Sequence, residues 1–228
     1  MAKIHSGANQ TYDMYLIRTP NFIQSMFPNF TWRIPTERKE LFLTFDDGPI
    51  PEVTPWVLDQ LQQYDAKATF FCVGENAQRY PDIMLRLHAE GHSLGNHTHN
   101  HLSGWGTENM EYFHNVRKCA RAVDSELFRP PYGRMKPGQA QFILRHYKIV
   151  MWDVLSGDFD PAVSEEQCLS NIVNNAGPGS IVVLHDSLKA EENLRYTLPR
   201  VLKHYAALGY TFNALSALQE AKALRKTA

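Results

Sequence analysis

Leu41-Phe42-Leu43-Thr44-Phe45-Asp46-Asp47-Gly48-Pro49 is an apolar run that ends on two adjacent carboxylates and a Gly-Pro turn. A short apolar run closed by a turn signal reads as a buried strand. Two neighbouring aspartates repel one another, so a strand end that keeps both ionised supplies a cation nearby. The Gly-Pro turn swings the backbone away and leaves both side chains at the strand's end. Alone, the stretch reads equally well as an Asp-rich turn, because Asp and Gly are common turn formers.

Similar β-rich runs recur at 68–73, 92–96, 127–129, 148–154, 180–184 and 210–212. Helical patterns fall between them at 54–64, 82–89, 108–124, 138–146, 165–175 and 195–208. Gly91, Gly177 and Gly209 stand where a left-handed residue would end a helix, and Ser164 with Gln167 opens one as a capping box. This alternation predicts a parallel sheet covered by helices, which an open sheet and a closed barrel satisfy equally. Polar positions separate the two. Asp46 and Asp47, His97, Arg129, Asp153 and His185 each fall at or just past a strand's C-terminal end. In a (β/α) barrel those ends converge on one rim, where active sites are built. The expected fold is α/β, a distorted (β/α) barrel of about seven parallel strands, one short of the usual closure. Residues 36–228 read as a single domain and 1–35 as an N-terminal extension. Within the extension, 1–13 is polar and patternless, and Met14-Tyr15-Leu16 looks a more natural start.

The chain has 228 residues, 43% hydrophobic and 21% charged, with a net charge of −1. That charge provides no global field to recruit nucleic acid or an anionic membrane. No apolar run is long enough for a transmembrane helix, no secretory leader pattern is visible, and no protein partner is evident. These features favour a cytoplasmic location. Cys72, Cys119 and Cys168 are sparse and odd in number, and read as small buried hydrophobes rather than as disulfides or zinc ligands. Ten histidines carry more information, because six of them lie between His88 and His114.

Within that cluster, His97-Thr98-His99-Asn100-His101 places two imidazoles at i, i+4. On a helical turn that spacing puts both on one face and points His99 elsewhere. With Asp47 they make a two-His, one-carboxylate site with positions open to water and substrate. The H-E-x-x-H glutamate is absent, so a base must come from another segment. Arg129-Pro130-Pro131-Tyr132-Gly133 offers a cation for the carboxylate not on the metal, in a loop stiffened by two prolines. His185, after four apolar strand residues, sits at the barrel mouth beside Asp186, an acid that can orient it.

Together these segments resemble the polysaccharide deacetylase family, the NodB homology domain of carbohydrate esterase family 4. The resemblance runs from about residue 40 to 216 through five ordered motifs: 44–49, 97–101, 129–133, Asp158-Phe159 in part, and Val183-Leu184-His185. It implies that Asp47, His97 and His101 bind a divalent cation, usually zinc and sometimes cobalt or another metal. It further implies Asp46 as the general base, Arg129 as the residue that tunes it, and a Tyr132 backbone N–H as an oxyanion donor. His185 then becomes the general acid, and Asp158 the residue that orients and charges it. Trp105, Tyr132 and Phe159 could supply apolar faces for a sugar ring, although aromatic residues are more often core. Leu102 stands where members often have Pro, and Phe159 where they often have Trp; both positions bear on the substrate and leave the metal chemistry intact.

The activity this implies is metal-dependent removal of acetyl groups from a carbohydrate, foremost the N-acetyl groups of an N-acetylglucosamine-containing glycan. An O-acetyl esterase of the acetylxylan type is the alternative. A non-haem iron oxygenase shares the two-His, one-carboxylate set but leaves Asp46, Arg129 and His185 without a purpose. A carbohydrate-binding protein that has lost catalysis is opposed by the complete set of base, ligands and acid.

Overall fold

The computed structural model describes residues 15–215, so the reading of 1–13 as an appendage falls outside the described residues. The chain begins with α1 (Asn21–Met26) and continues into β1 (Glu40–Asp46), α2 (Thr54–Gln62) and β2 (Thr69–Cys72). Next come α3 (Gly74–Arg79), α4 (Pro81–Ala89), β3 (Ser93–Asn96), α5 (Asn109–Cys119) and β4 (Leu127–Phe128). After a single 3₁₀ turn at Pro131–Gly133 follow α6 (Pro137–Ile143), β5 (Lys148–Ile149) and β6 (Val154–Leu155). The chain then runs through α7 (Glu165–Val173), β7 (Ile181–His185), α8 (Glu191–Ala207) and β8 (Thr211–Phe212).

The strand order is β5-β4-β3-β2-β1-β7-β6, with β8 paired to the start of β1, and every strand pair is parallel. The sheet is a distorted (β/α) barrel, as the polar residues at the strand ends predict. β1 is buried from Leu41 to Asp46, and its alternate side chains divide cleanly. Leu41, Leu43 and Phe45 pack outward with Leu58 of α2 and Leu198 of α8, while Phe42 turns inward with Phe71 and Ile181. Period-two alternation sends Thr44 and Asp46 inward with Phe42. Burying each of these Leu or Phe side chains stabilises the fold by about 2 kcal/mol.

The expected seven runs become eight strands because 148–154 breaks in two. Between β5 and β6 the backbone has other partners: the Val150 and Met151 carbonyls accept from Arg129, and the Met151 N–H donates to the Thr31 carbonyl. Asp153 is therefore at the opposite end of the barrel from the rim where the sequence placed it. Buried beside the start of β7, it accepts from Ser180 Oγ at 2.7 Å and faces Arg18 and Arg33. Residues 15–34 lie along this break as a strap, bridging Arg18 to Val154, Thr31 to Val150 and Arg33 to Ser180. Gly179, at φ 80°, takes the left-handed turn expected at Gly177; a side chain there would collide with the Ile34 carbonyl of the strap. Gly91 and Gly209 are left-handed as expected, and Ser164 Oγ accepts from the Gln167 N–H. All three cysteines are buried and free. Among the described residues no helix is long and apolar enough to cross a membrane.

Candidate active site

Asp46 ends β1, and its inward side chain meets Arg129, which follows β4. Arg129 is wholly buried and uses its full fork. Nη1 donates to Asp46 Oδ1 and Thr44 Oγ1, both at 2.7 Å, while Nε and Nη2 donate to the Val150 and Met151 carbonyls at 3.1 and 2.9 Å. The guanidinium carbon stands 4.1 Å from the centre of the Phe71 ring. Burial lowers the Arg129 pKa and the Asp46 carboxylate opposes that, and a guanidinium stays charged in any case. These contacts commit Asp46 Oδ1 and leave Oδ2 on the cavity side, 4.0 Å from His97 Nε2.

Asp47 points away from Arg129 toward two imidazoles. Its Oδ1 lies 3.7 Å from His97 Nε2 and 3.1 Å from His101 Nε2, and the three ligand atoms fall within 4.8 Å of one another. The expected helical turn is absent: 97–101 is irregular backbone. Thr98 and His101 have φ of 64° and 57°, and Asp47 has φ of 81°. The Thr98 N–H donates to Asn96 Oδ1, and Thr98 Oγ1 accepts from the Leu102 N–H. The two imidazoles converge through this turn, with left-handed residues that cost about 1–3 kcal/mol each. His99 points away, with Nε2 3.9 Å from Glu75.

The trio passes a test for a metal site. Asp47 Oδ1 is buried and receives no well-formed hydrogen bond, although His101 lies 3.1 Å away. The His97 Nδ1 faces the Arg129 carbonyl at 2.8 Å, which assigns the proton to Nδ1 and a free lone pair to Nε2. Burial brings the His97 pKa down to about 4, so the ring is neutral near pH 7. Burial pushes the Asp47 carboxyl up, but His101, His185 and His97 together hold it well below the usual carboxylate range. A divalent cation would satisfy an orphaned carboxylate oxygen and two imidazole lone pairs at once.

His185 ends β7 across a cavity of about 360 Å³ from the trio. Its Nδ1 lies 2.7 Å from Asp158 Oδ1, and its backbone N–H donates to Asp158 Oδ2 at 2.8 Å. The adjacent Asp186, which the sequence offered as the orienting acid, faces the other way. It accepts from the Gly48 N–H at 3.1 Å and from Thr54 Oγ1 at 2.6 Å, bracing the loop that carries Asp47. Burial, with Asp47 adding to it, pushes the Asp186 carboxyl up to about 8.

Tyr132 takes a left-handed conformation (φ 60°) on the 3₁₀ turn. Its side chain does something the sequence did not signal: the hydroxyl is 3.1 Å from His101 Nδ1, and the rings meet edge-on at 4.6 Å. Phe159 lines the cavity and stands edge-on to His185. Trp105 is outside the lining; it is exposed, bonded to the Met135 carbonyl and overlaid by Arg134. Sequence reasoning missed Tyr15 and Lys189, which do line the cavity. Tyr15 lies in the N-terminal extension and Lys189 between the run at 180–184 and the helical pattern at 195–208, and neither falls on a motif.

A profile of the polysaccharide deacetylase family matches residues 33–147. A peptidoglycan-N-acetylglucosamine deacetylase of Bacillus cereus is 36% identical over 160 residues, which are 67% of this chain and 58% of that protein's length. A chitooligosaccharide deacetylase of Azorhizobium caulinodans is 34% identical over 194 residues, covering 81% of this chain and 92% of its own. The crystal structure of the Bc1960 peptidoglycan N-acetylglucosamine deacetylase superposes with a TM-score of 0.79 at 31% identity, over 87% of this chain and 96% of that one. The profile covers half the chain, the identities hold over most of its length, and the ordered motifs meet in one cavity: the chain belongs to the polysaccharide deacetylase family.

Proposed function

We propose that this protein is a divalent-metal-dependent hydrolase that removes N-acetyl groups from an N-acetylglucosamine-containing glycan, with zinc as the metal. The observation that carries the reading is the division of the aspartate pair: Asp46 is bonded to Arg129, and Asp47 faces His97 and His101. The names of the Bacillus and Azorhizobium relatives, a peptidoglycan-N-acetylglucosamine deacetylase and a chitooligosaccharide deacetylase, support the amide as the bond cleaved.

Asp47, His97 and His101 would hold the cation, which would supply a Lewis acid to acidify water and polarise the acyl oxygen. Asp46 accepts the proton of the attacking water on Oδ2, its other oxygen being fixed by Arg129. The Tyr132 backbone N–H donates to the acyl oxygen as negative charge develops there, typically worth a few kcal/mol. His185, opposite, gives a proton to the departing nitrogen, which leaves poorly as an anion. Asp158 fixes the tautomer and aims Nε2 at the cavity.

Acetate release from N-acetylchitooligosaccharides, peptidoglycan fragments and acetylxylan, before and after chelation and zinc restoration, tests the reading. Metal-dependent release from the first two is expected. Release from acetylxylan alone would make the protein an O-acetyl esterase, and release indifferent to chelation would overturn the metal.

A further inference from the structure

One wall of the cavity is built by a part of the chain outside the stretch that the family profile matches. The strap is fixed to β6, where the Leu155 N–H donates to the Ile17 carbonyl at 2.8 Å and the Thr19 N–H to the Asp153 carbonyl at 2.9 Å. Tyr15 then reaches the cavity. Its hydroxyl donates to Asp160 Oδ2 at 3.0 Å, and its ring packs on Phe159 with centroids 5.1 Å apart and planes tilted by 51°. Phe159 meets His185 edge-on at 5.0 Å, and Lys189 Nζ stands 5.7 Å from the Phe159 centroid. Tyr15, Phe159 and Lys189 thus form one continuous wall on the side of His185.

Two tilted rings give an apolar face of the kind that packs on the C–H side of a sugar. The signs of charge around it are uneven. The acids lining the cavity are Asp46 and Asp47, the first bonded to Arg129 and the second set among histidines. The remaining formally charged lining residues, Arg134 and Lys189, are both cationic, and a divalent ion on Asp47 adds to the same sign. Asp160, which holds Tyr15, is not among the lining residues. A neutral glycan offers the exposed Lys189 ammonium only hydroxyl oxygens, whereas a carboxylate on the neighbouring sugar would pair with its charge.

We propose that Tyr15, Phe159 and Lys189 form a second sugar subsite beside the unit being deacetylated, selective for a neighbouring sugar that carries a carboxylate. This rests on the deacetylase reading of the site and adds the charge of the preferred glycan.

The probes are the alternating N-acetylglucosamine–N-acetylmuramic acid tetrasaccharide and its carboxyl methyl ester, which nearly keeps the shape and removes the charge. The metal-loaded protein gives kcat/KM on each, and titration calorimetry with the Asp46→Asn protein gives binding without turnover. The charged probe should be preferred about fivefold, the scale of one exposed ion pair, and the preference should fade in about 1 M salt. Lys189→Ala should bring the ratio to one and Lys189→Glu should invert it. Tyr15→Ala should weaken both probes alike, and Tyr15→Phe, which keeps the ring, should weaken them much less. Equal handling of the two probes by the unaltered protein, or a preference that survives Lys189→Ala, overturns the subsite. Undiminished binding by Tyr15→Ala removes the strap from it. If neither probe is deacetylated, the deacetylase reading fails, and calorimetry still decides the subsite.

Discussion

Asp158 holds His185 from two directions, its Oδ1 2.7 Å from the ring Nδ1 and its Oδ2 accepting the residue's own backbone N–H at 2.8 Å. Burial lowers the His185 pKa, but Asp158, followed by Asp47 and Asp46, outweighs it and pushes the group up to about 9. A cation on Asp47 would offset the last two, which leaves Asp158, the first-ranked of the raising groups, as the main source of the shift.

Asp158→Asn should therefore move the falling limb of the pH–rate profile to lower pH by about one unit. The sign follows from the role: the acid must carry its proton, and losing the carboxylate makes that proton easier to lose. The same pair contributes stability fully below pH 6.5, the ordinary value, and loses it as pH rises through about 9. A falling limb that stays in place in Asp158→Asn would assign the limb to another group.

His185→Ala should separate substrates by leaving group. An amine needs the proton and an activated aryl alcohol does not, so the loss on an acetylated amino sugar should exceed that on an aryl acetate by about a hundredfold. Equal losses on both, read from kcat, would take His185 out of the acid role.

The aspartates should divide in a metal titration as they divide in space. Asp47→Asn should weaken metal binding, whereas Asp46→Asn should keep the metal and lose turnover, because an amide cannot accept the proton. Tyr132→Phe removes the hydroxyl beside His101 Nδ1 and should cost about tenfold in metal affinity, the low end for an outer hydrogen bond. Competition with a chromogenic chelator reads all three, and equal affinities for the two Asn variants would refute the division.

Local pattern was enough to pick out Asp47, His97 and His101, which the structure brings within 4.8 Å of one another, since spacing and a strand-end carboxylate are one-dimensional signals. The route to that geometry was not legible. His97 and His101 suggested a helical face, but the structure uses left-handed Thr98 and His101, a choice made by the hydrogen bond from the Thr98 N–H to Asn96. Asp186, adjacent to His185 in sequence, looked like its orienting acid; the alternation of strand residues turns it to Gly48 and Thr54, and Asp158 arrives from the loop after β6 instead. The split of 148–154 was hidden for a similar reason. Arg129 and the strap claim the backbone groups of Val150 and Met151, and those partners are distant in sequence.

Arg129 is the residue in which fold and site share most, and its substitution should show both. Its fork meets a carboxylate, a hydroxyl and two carbonyls, all within 3.1 Å, in a place closed to water. Arg129→Met leaves those acceptors unpaired and the Asp46 charge buried without its partner, a loss of about 3–5 kcal/mol. Arg129→Lys keeps the charge, but a single ammonium on a flexible stem cannot serve acceptors spread around a planar fork, so a loss of about 2 kcal/mol is expected. Asp46 Oδ1 is then no longer fixed, and misplacement of the base should lower kcat by about a hundredfold even where the protein remains folded. Denaturation midpoints and kcat, measured on the same preparations, give the two effects separately. An Arg129→Lys protein with an unchanged midpoint and full kcat would mean that charge alone suffices and the fork is dispensable.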